Sequence, residues 1–136
     1  MTYNEKKRYL ERYIYSVRKV KRLQQEYTEW ETIGTNITQK LSQTGVRAGD
    51  NQSKVERCAI HLASIQDSIL SEIQAAEYNR AEIELLLGNV KDLRHRELLE
   101  MKYIRGMSVQ KIAFQRNKPE QDIYRQLRTA LKKMEI

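Results

Sequence analysis

Leu10, Tyr13, Val17, Val20, Leu23, Tyr27, Trp30 and Ile33 follow one another at steps of three and four. That spacing places them on one stripe of an α-helix running from about Tyr3 to Thr32. The charged pairs between them, at 6–7, 18–19 and 21–22, belong on the opposite face. Gly34 interrupts the pattern and predicts fraying or a kink, although Ile37 and Leu41 continue the stripe. Residues 42–53, SQTGVRAGDNQS, then lose all periodicity. They hold two glycines, Asp50 and Asn51, and predict a flexible loop. Neither a P-loop nor a GxGxxG spacing occurs in it.

A second helical pattern starts near Ser53, with Glu56 three residues on as in a capping box. Val55, Leu62, Ile69, Ala76, Ile83 and Val90 form a strict seven-residue repeat, widened by Cys58, Ala59, Ile65, Ile73, Leu86 and Leu87. A sustained heptad repeat asks for coiled-coil packing against another helix. The nearest candidate is the first helix, folded back to make a long antiparallel hairpin. A second chain would serve as well, and the pattern leaves the two open. Glu72 and Asn79 fall at alternate seam positions and weaken its middle. Gly88-Asn89 ends the pattern, which predicts a hairpin region over 1–89 and a separate unit over 90–136.

Three shorter helices are expected in that second unit. The first runs from Val90 or Asp92 to Arg105, with Leu93, Leu98, Met101 and Ile104 inward and Leu99 and Tyr103 on the flank. Gly106 stands where a helix C-terminus needs a left-handed residue. Ser108 can cap the next helix, Val109 to Arg116, whose buried side is Val109, Ile112 and Ala113. Asn117 suits a sharp left-handed turn. Lys118 would cap a third helix from Pro119 to Met134, with proline at its first position. Its inner face is Ile123, Leu127, Ala130, Leu131 and Met134. The fold class is thus all-α: a coiled-coil-like hairpin followed by a three-helix helix-turn-helix unit.

Charge gives the second unit a purpose. Of the 136 residues, 25 are Lys or Arg and 18 Asp or Glu, a net +7. Residues 91–136 carry twelve Lys/Arg against six Asp/Glu, so most of the excess lies there. That concentration points to a phosphate-bearing partner. The outer face of the third helix carries Gln121, Tyr124, Arg125 and Arg128. Arg bonds guanine bidentately and Gln bonds adenine bidentately, so these four are the candidate base readers in a major groove of duplex DNA. Lys111, Arg116, Lys118, Lys132 and Lys133 are the candidate phosphate contacts.

Other chemistry finds little support. His61 and His95 are isolated, and the single cysteine, Cys58, sits in an apolar helical pattern that suggests a buried structural thiol. No catalytic, metal-binding or cofactor-binding residues and no small-molecule substrate are expected. The absence of a long apolar run or an apolar signal core predicts a cytoplasmic protein that engages no membrane.

Leu98 to Met134 resembles region 4 of sigma factors and, more closely, the C-terminal unit of ArpU/RinA-type phage regulators from phages of Gram-positive bacteria. Lys102, Tyr103, Ile104, Gly106, Met107, Ser108, Ile112, Ala113, Ile123, Tyr124, Arg125, Ala130 and Leu131 carry the likeness. The family usually has an apolar residue at Arg116, glycine at Asn117 and Ser or Thr at Pro119. The resemblance implies a regulator of phage or prophage genes in a bacterial host, acting through promoter binding and contact with RNA polymerase. The hairpin would then serve homodimerisation or that polymerase contact. The other reading is a phage-encoded helical adaptor that binds RNA polymerase, a repressor or another regulator, with DNA contact incidental. The tyrosines of the first helix, Tyr3, Tyr9, Tyr13, Tyr15 and Tyr27, suit such an interface.

Overall fold

A computed structural model describes the backbone of residues 1–44 and 48–136 and the side chains of 1–40 and 53–136. The described residues form five α-helices and no strand: α1 (Tyr3–Thr44), α2 (Ala48–Gly88), α3 (Leu93–Tyr103), α4 (Val109–Arg116) and α5 (Glu120–Lys133). No helix among them is long and apolar enough to cross a membrane.

α1 begins with a reciprocal cap that the apolar periodicity does not reveal. The Thr2 N–H donates to Glu5 Oε2 at 2.9 Å and the Glu5 N–H donates to Thr2 Oγ1 at 3.3 Å, the T-x-x-E capping box. The helix does not fray at Gly34: α1 continues through it to Thr44. The glycine serves packing there: a Cβ would stand 3.0 Å from Cys58 Sγ. That thiol donates to the Trp30 carbonyl at 3.3 Å.

The expected loop over 42–53 is also largely helical. α1 reaches Thr44 and α2 starts at Ala48, while 45–47 lie outside the described residues. Ser53 is therefore inside α2, and its carbonyl accepts a side-chain bond from Arg57 Nε at 3.4 Å. The stretch lacks apolar periodicity but also lacks proline, and extending an existing helix is much cheaper than starting one.

Two compact units result, one of Val17–Gln74 and the other of Met1–Ser16 with Ala75–Ile136. The first is the antiparallel hairpin proper. Residue numbers rise along α1 as they fall along α2: Lys19 pairs with Glu72 at 2.9 Å, Glu26 faces His61 at 3.7 Å, and the Trp30 and His61 rings lie 4.2 Å apart. Glu72, the polar seam position, is there to meet Lys19. Val17, Val20, Leu23, Tyr27 and Trp30 of α1 and Val55, Leu62 and Ile69 of α2 are half-buried, and Cys58 and Ile65 are buried.

The other unit does not begin at residue 90. Its core joins Leu10 of α1 and Ile83 and Leu87 of α2 to Leu98, Leu99, Tyr103, Met107, Ile112, Ile123, Leu127 and Leu131. The physical reason is size. Helices of 11, 8 and 14 residues bury little apolar surface among themselves, and the adjoining ends of α1 and α2 enlarge their core. Arg12 of α1 meets Glu82 of α2 at 2.8 Å within this unit, and its guanidinium lies 3.8 Å from the Tyr9 ring centroid. Hydrogen bonding to Arg12 holds the Glu82 carboxyl below its ordinary range.

α3 also turns differently from the expectation. Leu98, Leu99 and Tyr103 are buried, Met101 and Ile104 half-buried, and Leu93 exposed. α3 touches both α4 and α5, so its buried sector is wide enough to take adjacent leucines. Burial, with Glu11 and Tyr3 nearby, pushes the Tyr103 phenol well above its usual range. Asp92 is the N-cap of α3, and its carboxylate accepts from the Arg94 N–H at 3.0 Å and the His95 N–H at 3.4 Å.

Candidate nucleic-acid interface

Each turn residue named from the sequence has a geometric role. Gly106 has φ +67°, the left-handed conformation that favours glycine. Ser108 caps α4 with extended backbone, its Oγ accepting from the Lys111 N–H at 3.2 Å. Asn117 closes α4 at φ 54°, ψ 47°, the sole non-glycine positive φ among the described residues. The Asn117 N–H donates to the Phe114 carbonyl at 3.2 Å, and the Lys118 N–H to the Ala113 carbonyl at 3.0 Å.

The start of α5 differs by one residue from the sequence reading. Pro119, not Lys118, is the N-cap, with φ −62° and ψ 148°. Its carbonyl accepts from the Asp122 N–H at 3.1 Å, and no side chain caps the helix. Proline's fixed φ serves the cap as well as the first turn, and Glu120 and Asp122 offset the exposed N–H groups of that turn.

The inner faces agree with the periodicity. Val109, Ile112 and Ala113 of α4 are buried, as are Ile123, Leu127, Ala130 and Leu131 of α5 and Met134 beyond it. The opposite face of α5 presents Gln121, Tyr124, Arg125 and Arg128, all exposed. Their spacing keeps them on one side of the helix. The Arg125 side chain is 75% exposed and lies 3.5 Å from Asp122 one turn back. Arg128 lies with its Cζ 5.6 Å from the centroid of the Tyr3 ring.

The five candidate phosphate contacts divide. Lys111, Lys118, Lys132 and Lys133 are exposed. Arg116 is turned towards α3: its side chain is 23% exposed, and Nη2 lies 3.8 Å from the Glu97 carboxylate and 3.8 Å from Met101 Sδ. It ties α4 to α3, where the sequence pattern placed a free cation. Lys118 opens onto a groove lined also by Asp92, Arg94, His95, Glu97 and Gln126.

Sequence reasoning missed the part played by α1. The Lys6 ammonium donates to the carbonyls of Leu131 and Lys132 at 3.3 Å each and of Met134 at 2.6 Å. A cation thus sits at the C-terminus of α5, where unpaired carbonyls and the helix dipole favour it. The one local signal, the Thr2–Glu5 capping box, marks where α1 starts and says nothing of what it touches.

These helices and turns define an all-helical protein whose last three helices are short and joined by tight turns at Gly106 and Asn117. The chain belongs to the family described as "Protein of unknown function (DUF1492)", whose model matches residues 37–135. No curated protein and no solved structure matches the chain.

Proposed function

We propose that this is a non-enzymatic, DNA-binding transcription regulator of phage or prophage type, working in the bacterial cytoplasm. α5 is its major-groove helix, and the α1–α2 hairpin serves dimerisation or contact with RNA polymerase. One observation carries the reading: Gln121, Tyr124, Arg125 and Arg128 stand together and exposed on one face of α5, behind the left-handed turn at Asn117. Lys111, Lys118, Lys132 and Lys133 are exposed cations available to the phosphates. The test is selection of bound duplex from a random pool, followed by affinity measurements across a salt series. A preferred sequence should emerge and binding should weaken steeply with salt. Arg125→Ala or Arg128→Ala should cost about 1–3 kcal/mol of discrimination at one base pair. A pool that shows no enrichment over bulk DNA ends this reading.

A second reading, the protein-binding adaptor, is favoured by apolar exposure on the hairpin. Ile60 and Leu70 of α2 are 70% and 56% exposed. Titration of purified RNA polymerase with the nuclease-treated protein, taken with the duplex selection, separates the two. Polymerase binding that survives nuclease treatment and is abolished by Ile60→Lys with Leu70→Lys, from a protein that enriches no duplex, supports the adaptor.

A further inference from the structure

Among the described residues, Arg128 is the one candidate base reader whose guanidinium meets an aromatic ring, and that ring comes from the start of α1. The ring belongs to a fixed platform. The Thr2–Glu5 box closes the first turn of α1. Lys6 holds the C-terminal carbonyls of α5. Leu10 is fully buried in the shared core, and Ile14 lies against Gly106. Tyr3 itself is half-buried against that core. Its ring centroid is 5.6 Å from Arg128 Cζ, inside the reach of a cation–π contact.

An arginine on an exposed helix face samples many rotamers, and binding a base edge freezes them. A ring against the guanidinium limits that sampling in the free protein. A cation–π contact draws on the charge and not on an N–H bond, so it leaves the guanidinium donors available to an acceptor pair. From this geometry we infer that Tyr3 is a positioning residue for Arg128, holding the guanidinium ready to bond the edge of a base. The inference rests on the DNA-reading function proposed above. It makes the first turn of α1 part of the specificity device.

The test uses the full chain and the duplex that the unmodified protein enriches from a random pool. Affinity is measured for that duplex and for one altered at the base pair where Arg128→Ala loses its preference. The ratio of the two does not depend on the fraction of protein that is folded. Tyr3→Leu, which keeps apolar bulk and removes the ring, should lower the ratio about two- to five-fold. Tyr3→Phe should retain it. In the Arg128→Ala background, Tyr3→Leu should do nothing further to it. An unchanged ratio in Tyr3→Leu overturns the inference, as does an equal drop in the Arg128→Ala background or a drop spread over every base pair. In those cases Arg128→Ala still blurs its own position and the DNA-reading function stands. A pool without a preferred duplex removes both together.

Discussion

The hairpin unit and the unit that holds α3 to α5 are made of the same kind of amphipathic helix, yet they bury side chains to different depths. In Val17–Gln74 only Cys58 and Ile65 are buried among the described residues, and the rest of the seam is half-exposed. In the other unit Leu10, Ile83, Leu98, Leu99, Ile112 and Ile123 are all at 0% exposure. A helix facing one neighbour covers a single stripe, whereas parts of five helices surround a centre. An amphipathic stripe therefore reports that a helix packs, and the number of its neighbours sets how firmly.

Core truncation tests this contrast most severely. Ile123→Ala, at the centre of the five-helix core, should cost about 4 kcal/mol of unfolding free energy, and Ile65→Ala in the hairpin about 2 kcal/mol. Urea melts read both, and a larger loss at Ile65 would break the comparison.

Two glycines sharpen it. Gly106→Ala places a side chain at φ +67° and a Cβ 3.1 Å from Ile14 Cδ1, which should cost roughly 1–2 kcal/mol for the left-handed backbone. Gly34→Ala gains roughly 1 kcal/mol of helix propensity. It also meets Cys58 Sγ at 3.0 Å, so its net change in the same melts should be smaller. Ser108→Ala removes the α4 cap and should cost about 1 kcal/mol. Hydrogen exchange should show that loss in the first turn of α4 and leave hairpin amides as they were.

The smallest effect is a pH dependence at the start of α3. Partial burial works against ionisation of Asp92. It is outweighed by the N–H groups of His95 and Arg94, helped by the His95 and Lys133 charges, and the carboxyl stays below its ordinary value. A folded-state value lower than the unfolded one adds stability that is complete above the unfolded value. That stability is lost as pH falls through the folded value. Asp92→Asn should flatten this acid limb of the stability profile, and an unchanged limb would remove the cap from the account.

Much of this was legible because it is local. The inner faces of α4 and α5 follow from 3.6-residue periodicity, and Gly106, Ser108 and Asn117 follow from the backbone angles their turns require. The misreadings also have local causes. Gly34 and the Gly-rich stretch over 42–53 carry breaker residues, but a breaker only sets a cost. At Gly34 close packing against Cys58 offsets it. Arg116 reads as a free cation because nothing in its own helix shows that Glu97 and Met101 wait on α3.

The sequence by itself determined the helical class, the inner faces of α4 and α5, the turn chemistry between them and the exposed row from Gln121 to Arg128, since each depends on residues within a few positions of one another. Only the tertiary structure decided that the start of α1 and the end of α2 complete the core of the C-terminal unit. It also decided that Tyr3 lies beside Arg128, that Lys6 caps α5, and which leucines of α3 are buried. Those contacts join residues far apart in the chain, and short-range periodicity carries no record of them.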